Sequence, residues 1–291
     1  MSDVKVRYAL KWNSQTKLGL DLTTTRPAPL IDAHIHVDSY PPEQQELLLA
    51  SLANSSVQTV IAVSMHLFSS RANLWLAERY PRLVRPAFGF HPEQALPPQA
   101  ELDLLFDWMD EHIQQMVAVG EVGLPYYNRL KASQSGSPFD LAPYIALLER
   151  FIQFASKHNK PIVLHAVYED ADIACDLLER HGVTQAHFHW FKGSAATTER
   201  MARNGYYVSF TPDLLYEEEI RSLARQYPSD QIMAETDGPW PFEGPFTGQQ
   251  THPRMTADVI RAYSKLTYQD ESDVRQLFYE NTRRFYSLSD G

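Results

Sequence analysis

Short apolar segments alternate with longer stretches of helical periodicity along most of the chain. The apolar segments are rich in β-branched residues, which predicts strands. They are LIDAH (30–34), VQTVIAVS (57–64), LVRPAFGF (83–90), MVAVGEV (116–122), PIVLHAV (161–167), AHFHWF (186–191), YYVSF (206–210) and QIMAETD (231–237). Because these segments are continuously apolar, they are typical of a parallel sheet that is buried on both faces.

A helical pattern follows each predicted strand. The predicted helices lie near 43–54, 69–80, 100–114, 140–158, 169–181, 196–204, 214–226 and 252–285. The clearest runs from Phe139 to Asn159, where Leu141, Ile145 and Leu148 recur on one face. Eight strand–helix units in roughly 260 residues predict a TIM (β/α)8 barrel, with a doubly wound α/β sheet as the alternative.

Residues 1–29 differ from this pattern. We therefore expect them to form an N-terminal extension, followed by a barrel domain of residues 30–291. The segments VKVRYALKW and KLGLDLTTT alternate partly around NSQT, which favours a β-hairpin. A poorly ordered extension is the alternative. Pro27 and Pro29 end the segment, because proline cannot continue a strand ladder or a helix.

Composition excludes several classes of protein. Charged residues make up 21% of the 291 residues and hydrophobic residues 44%, an ordinary globular mixture without a run long enough for a membrane span. The first residues, MSDVKVRYALKWN, lack the apolar block of a signal peptide, which predicts a cytoplasmic protein. Cys175 is the only cysteine, so an intramolecular disulfide and a cysteine zinc finger are excluded. The net charge of −10 disfavours a polyanionic partner unless basic groups are locally concentrated.

Ionisable side chains stand at the carboxyl ends of several predicted strands. His34 and His36 close the first strand and, being two residues apart, can reach one ion. Burial of such groups costs several kcal/mol unless they are paired or bound to a metal. In a barrel these strand ends meet on one face. The predicted metal ligands are His34, His36, Glu121, His165, His189 and Asp237.

Six ligands exceed the three that a single catalytic zinc takes from the protein, which favours two metal ions. Glu121 is central in strand order and is the candidate bridging carboxylate, while Asp237 is the candidate proton acceptor. Nitrogen and oxygen ligands suit Zn²⁺ or Mn²⁺, with Mg²⁺ possible at an oxygen-rich position, so the pattern implies one or two divalent ions. We assign His187 to the core and expect Asp32 to orient the loop near His34.

The order of these motifs resembles the TatD family of metal-dependent hydrolases, within the amidohydrolase superfamily. The matching segments, within residues 30–288, are IDAHIH, FGFHPE, VGEVGL, PIVLHAV, FHWFKG, ETDGPW and NTRRFY. The resemblance implies a TIM barrel with one or two divalent metals, His34 and His36 on the first ion, and His165 and His189 on the second. It also implies a bridging role for Glu121, a shared ligand and base at Asp237, and a histidine near the substrate at His91.

The sequence departs from the family pattern around the substrate. Pro125 stands where the family usually has an aspartate, and no arginine follows His165. Loop aromatics supply candidate substrate-binding residues, which could stack on bases or wall an apolar pocket. Together with His91, these candidates are Tyr126, Trp190 and Trp240. Candidate phosphate contacts in the same loops are Arg129, Lys131, Lys192 and Arg254, which surface charge alone also explains.

The leading hypothesis is a metal-dependent hydrolase that cleaves phosphodiesters at nucleic acid ends as a 3′-to-5′ exonuclease on DNA or RNA. The first alternative is a metal-dependent hydrolase that cleaves an ester, amide or lactone bond, either in a small molecule or in aminoacyl-tRNA. The second alternative is a non-catalytic barrel with a vestigial site.

Overall fold

The computed structural model describes residues 27–53 and 55–289. The hairpin predicted within residues 1–29 falls almost wholly outside this part of the chain, and residues 27–29 belong to no helix or strand. No helix of the described residues is both long enough and apolar enough to cross a membrane.

Eight parallel strands form one sheet in chain order, each paired with the next. They are β1 (Leu30–Ile35), β2 (Val57–Ala62), β3 (Val84–Phe88), β4 (Ala118–Gly123), β5 (Ile162–His165), β6 (Ala186–Phe188), β7 (Tyr207–Phe210) and β8 (Ile232–Ala234). All eight predicted strands are present; β1 is one residue longer than predicted and the others are shorter. The sequential order confirms the TIM barrel and rules out the doubly wound sheet, whose order reverses at its switch point.

Backbone hydrogen bonds join the end of β1 to the segment after β8. The Asp237 amide donates to the His34 carbonyl at 2.9 Å, and the His36 amide donates to the Gly238 carbonyl at 2.8 Å. One buried carboxylate, Asp32 in β1, also accepts hydrogen bonds from the backbone and the hydroxyl of Thr236. We call these contacts between residues 32–36 and residues 236–238 the seam. The seam joins the first strand of the barrel to the last, and it brings His34 and His36 close to Asp237.

Ten α-helices surround the barrel in the described part of the chain. They are α1 (Pro42–Leu52), α2 (Leu67–Arg79), α3 (Gln99–Glu111), α4 (Tyr126–Ser135), α5 (Ala142–His158), α6 (Glu169–Arg180), α7 (Ala195–Arg203), α8 (Glu218–Gln226), α9 (Thr256–Thr267) and α10 (Glu271–Tyr286). A short 3-10 helix, Pro212–Leu215, occupies the start of the segment predicted as one helix over 214–226.

Two helix predictions were wrong. The single helix expected over 252–285 is two helices, because Tyr268 takes a left-handed conformation at the end of α9 and Asp270 caps α10 through the Ser272 amide. The sequence pattern also missed α4. None of its residues is buried, so α4 has no apolar stripe for a periodicity argument to detect, and Gly136 ends it in the left-handed region.

The core has a main layer between the strands and helices and a smaller cluster inside the barrel. Phe285 and Tyr286 at the end of α10 pack with Ala33, Ile61 and other strand residues in that inner cluster. His187 lies beside them, with its Nδ1 3.0 Å from the Tyr286 hydroxyl and its Nε2 2.6 Å from Ser209 Oγ. His187 is therefore a hydrogen-bonded core residue, as the sequence predicts.

Candidate metal centre

All six predicted ligands lie together at the carboxyl end of the barrel. His34 lies within β1, Glu121 within β4, and His165 is the last residue of β5. Three others lie just beyond the ends of their strands: His36, His189 and Asp237. The expectation that each ligand ends its strand was therefore only approximate, since Glu121 has two strand residues after it and Asp237 follows β8 by three residues.

The Glu121 carboxylate lies at the centre of the cluster, and its two oxygens face different histidines. Oε2 lies 3.1 Å from Nε2 of His34 and 3.1 Å from Nε2 of His36. Oε1 lies 2.8 Å from Nε2 of His189 and 3.0 Å from Nδ1 of His165. The carboxylate thus stands between two pairs of imidazoles, in the place that a bridging ligand requires.

Asp237 completes the first pair. Its Oδ1 lies 3.3 Å from Nε2 of His34 and 3.5 Å from Nε2 of His36. The residue has a φ of 48°, a left-handed conformation that a non-glycine residue rarely adopts. The hydrogen bond from its amide to the His34 carbonyl helps to hold this conformation, which is typical of residues at functional sites.

His91 also reaches the cluster. Its Nε2 lies 3.3 Å from Oε1 of Glu121, and its Nδ1 accepts a hydrogen bond from the Glu93 amide. The potential ligand atoms of His91, Glu121 and His165 lie within 4.8 Å of one another, as do those of the other two possible metal-binding groups in the cluster. The structure therefore places this predicted substrate residue at ligand distance.

The unpaired atoms in this cluster fit a divalent cation. His34 Nε2, Glu121 Oε2 and Asp237 Oδ1 are buried and make no hydrogen bond, although each lies within 3.5 Å of another polar atom. Buried polar atoms without partners cost free energy. A metal ion can bind nitrogen and oxygen atoms that point at one place without a hydrogen bond between them. Nitrogen and oxygen ligands suit zinc or manganese.

The electrostatics of the cluster agree with a cation site. Burial by itself would raise the pKa of Glu121, but the nearby imidazoles, His189 and His91 foremost, hold it well below its usual range. Burial opposes the charged form of His36, yet the carboxylates of Asp237 and Glu121 raise its pKa to about 10. Positive charge is therefore favoured at the point where the two carboxylates meet.

Two glutamates that the sequence interpretation did not single out support the ligands. Glu93 has Oε1 3.5 Å from Nε2 of His165, and its carboxylate accepts the amides of Tyr127 and Asn128 at the start of α4. Glu93 belongs to the quoted FGFHPE segment, but only the fold brings it to α4 and to β5.

Glu235 stands directly after β8 and has Oε1 3.5 Å from Nδ1 of His189. The same oxygen accepts the Trp190 amide at 2.9 Å. A carboxylate beside the second nitrogen of a ligand histidine helps to orient the ring, although Nδ1 of His189 makes no hydrogen bond within the part of the chain that the structure describes. The position of Glu235 within ETDGPW was the one available signal for it.

Aromatic side chains border the cluster on two sides. Trp190 donates its indole N–H to Asp213 at 2.5 Å and packs against Trp240 and Phe242. Trp240 is 57% exposed, which leaves it available to a ligand. These two predicted substrate residues thus form one wall beside His189.

The other aromatic wall comes from α4 and the loop after β5. Tyr126 packs against Tyr168 with ring centroids 4.8 Å apart, whereas Tyr127 is the tyrosine beside His165, at 6.0 Å. Tyr126 therefore lies farther from the ligands than the sequence interpretation assumed.

The predicted phosphate contacts differ in their surroundings. Arg129 is bound to Glu169 at 3.0 Å and to Asp170 at 2.5 Å, so two carboxylates already neutralise it. The Lys192 ammonium lies 5.6 Å from the Trp190 ring, on the opposite wall. Arg254 hydrogen-bonds with His252. Arg129 and Lys192 each border a predicted substrate residue, since the Arg129 guanidinium lies 5.5 Å from the Tyr126 ring, but among the described residues only Arg129 of the two is already paired with carboxylates.

Comparison with known proteins gives a consistent picture. A family model described as TatD related DNase matches residues 31–287. An uncharacterized metal-dependent hydrolase of Haemophilus influenzae is 37% identical over 259 residues, which cover 89% of this chain and 100% of the relative. The human protein named Deoxyribonuclease TATDN3 is 28% identical over 219 residues, or 72% of this chain and 78% of the relative.

A solved structure agrees with the fold. The crystal structure of YJJV, a TATD homolog from Escherichia coli K12, superposes with a TM-score of 0.76 at 24% identity, and the match covers 90% of this chain and 99% of that one. The match to the family model, the barrel and the carboxyl-end cluster of histidines and carboxylates lead to one conclusion: the chain belongs to the TatD family of metal-dependent hydrolases.

Proposed function

We propose that the protein is a metal-dependent phosphodiesterase that removes nucleotides from the 3′ end of single-stranded DNA or RNA. The observation that carries the proposal is the position of the Glu121 carboxylate between two pairs of histidines, where His34 Nε2, Glu121 Oε2 and Asp237 Oδ1 are buried without a hydrogen-bond partner among the described residues. The deoxyribonuclease name of a human relative supports a phosphodiester as the bond that is cleaved.

The residues divide into two ligand groups in this proposal. In this assignment His34, His36 and Asp237 would hold one cation, His165 and His189 would hold a second, and Glu121 lies at hydrogen-bonding distance from a histidine of each group. A bound divalent ion supplies Lewis acidity and lowers the pKa of a coordinated water. We propose one or two divalent ions, and the nitrogen and oxygen donors support zinc, manganese or magnesium.

The chain's own groups orient the substrate and accept the proton. Asp237 has a partly exposed carboxylate that faces both His34 and His36, and we assign it as the general base. Trp240 and Trp190 form a surface on which a base can stack, an interaction worth about 1–3 kcal/mol per base. His91 and Tyr126 line the same end of the barrel as further substrate contacts.

The test is the cleavage of a 5′-labelled single-stranded oligonucleotide in the presence of Mg²⁺ or Mn²⁺. The wild type is expected to shorten it progressively from the 3′ end, and Glu121→Gln to lose activity by at least about 100-fold, since one bridging oxygen is replaced by an amide. Glu101→Gln, an exposed change in α3, is the matched control and should cleave like the wild type. Equal cleavage by Glu121→Gln and the wild type contradicts the proposal.

A second candidate reaction is the hydrolysis of a small ester, amide or lactone. The observation that favours it is the acidic character of the Tyr126 wall, where Arg129 is occupied by Glu169 and Asp170. Such a wall repels phosphate and accepts a neutral or cationic aromatic group. Hydrolysis of aryl esters that is lost in Glu121→Gln, without shortening of oligonucleotides, would establish this reaction instead.

A further inference from the structure

A groove of about 670 Å³ lies between α8 and α9, outside the metal centre. We call it the α8–α9 groove. Four cations line it, two from each helix, and apolar residues from the loops after β7 and β8 form one end. These residues are Arg221, Arg225, Arg261, Lys265, Leu215 and Pro245.

The groove carries more positive than negative charge. Asp258 also lines the groove, so four cations face the three carboxylates of Glu218, Asp258 and Glu271. Arg225 lies 2.8 Å and Arg221 3.9 Å from Glu218, while Arg261 pairs with Asp258 at 2.7 Å and lies 3.5 Å from Glu271. Lys265 has no carboxylate partner among the residues that the structure describes. In a chain with a net charge of −10, this is a local concentration of basic groups of the kind that a polyanion needs.

The arginines are free to exchange partners. Arg225 and Arg261 are each almost half exposed, and so are most of their carboxylate partners. Ion pairs of this kind are weak because water screens them. A phosphate can therefore replace a carboxylate on an exposed guanidinium with little loss. Arg221 is held in position by hydrogen bonds to the carbonyls of Leu214 and Leu215.

An exposed aromatic ring lies at the same groove. Tyr268, directly after α9, lines it and is 97% exposed. Cations together with an unpacked aromatic side chain are the two elements of single-strand binding, since the cations hold the phosphates and the ring stacks on a base.

The groove is continuous with the wall of the metal centre. Leu215, at its end, packs with Phe242 and Phe246 in a small apolar cluster. Trp190 packs on the same cluster, and Trp190 follows the ligand His189 directly. This apolar cluster therefore lies between Trp190, beside the metal centre, and Leu215, at the end of the groove.

We propose that the α8–α9 groove binds the backbone phosphates of the part of a single-stranded nucleic acid that is not being cleaved. The proposal rests on the phosphodiesterase function proposed above and specifies the substrate as a strand of several nucleotides. It predicts that affinity grows with strand length and depends on Arg225 and Lys265, neither of which contacts the metal ligands.

The test compares the double variant Arg225→Ala/Lys265→Ala with the control Arg180→Ala/Lys157→Ala. The control removes the same charges from exposed positions on α6 and α5. Binding of a fluorescent single-stranded oligonucleotide is measured by anisotropy in the Glu121→Gln background, so that cleavage does not interfere. The groove variant is expected to bind about tenfold more weakly than the control, with a salt slope reduced by about 2.

Hydrolysis gives the second readout. The ratio of kcat/KM for a long oligonucleotide to that for a dinucleotide should fall in the groove variant and stay at the wild-type value in the control. The proposal that the groove binds the strand would be overturned by equal affinities and equal kcat/KM ratios in the two variants. Absence of oligonucleotide binding by the parent protein would also overturn it. If binding depends on the groove but the wild type does not hydrolyse the oligonucleotide, the groove proposal stands and the proposed phosphodiesterase activity is rejected.

Discussion

At the scale of single residues, polar groups buried at the ligand end of the barrel carry both stability and function. Asp32 is fully buried, accepts two hydrogen bonds from Thr236, and lies with its Oδ1 3.4 Å from the His34 amide. Its expected role near His34 followed from its place in the strand. Its link to Thr236 could not be predicted, because it depends on how the last strand meets the first.

Replacement of Asp32 by alanine should lower the free energy of unfolding by about 1–3 kcal/mol for each buried donor left without a partner. Burial raises the pKa of Asp32, whereas the hydrogen bonds from Thr236 act in the opposite direction. Asparagine has nearly the same shape and keeps one acceptor oxygen for these donors. Asp32→Asn should therefore retain most of the stability. Urea denaturation of both variants measures the difference, and equal losses would refute this account.

Cys175 lies buried on α6, where burial raises the pKa of its thiol to about 12. Only the thiolate reacts with disulfide reagents. We expect no labelling of the native protein by an aromatic disulfide at pH 8 and labelling of one thiol per chain in guanidinium. Rapid stoichiometric labelling without denaturant would contradict the buried position.

At the scale of elements, the helix that the sequence pattern missed is held at its start by a residue that is distant in the sequence. Helix α4 buries none of its side chains, and Pro125, before its first residue, offers no side-chain cap. Glu93 instead accepts the amides of Tyr127 and Asn128. The strands and long helices could be predicted because each buries a periodic apolar face. Helix α4 is held by a carboxylate from the loop after β3, which periodicity does not reveal.

Glu93→Gln should therefore loosen α4 without unfolding the barrel. Removal of the negative charge weakens the interaction with the helix N-terminus, an effect of about 0.3–1 kcal/mol beyond the lost acceptor. Hydrogen exchange should quicken for the α4 amides and stay unchanged for α5. Glu101→Gln on α3 is the control, and unchanged exchange in α4 would show that Glu93 does not hold the helix.

At the scale of the whole molecule, the fold brings the six predicted ligands to one end of the barrel. The six predicted ligands converge as expected, because the carboxyl ends of all eight strands share one face. The identity and number of the ions did not follow from the pattern, since the same donors suit several metals.

Removal of metal by a chelator should lower the midpoint of thermal unfolding. Addition of Zn²⁺ or Mn²⁺ should raise the free energy of unfolding by about 1.4 kcal/mol for each tenfold excess over Kd, because the ion binds the folded state. Calorimetry at increasing metal concentration measures this. The same series with Glu121→Gln is the control and should show a smaller shift, whereas an identical shift would place the stabilising ion elsewhere.

The seam between β1 and β8 has a consequence for the protein during its synthesis. The first and last strands share the ligand-bearing contacts, and 204 residues separate Asp32 from Thr236. A nascent chain therefore holds His34 and His36 long before Asp237 leaves the ribosome. Under the proposed ligand assignment, the full set of six side chains comes together only after the last strand has joined the first, so the complete site exists only in a finished barrel.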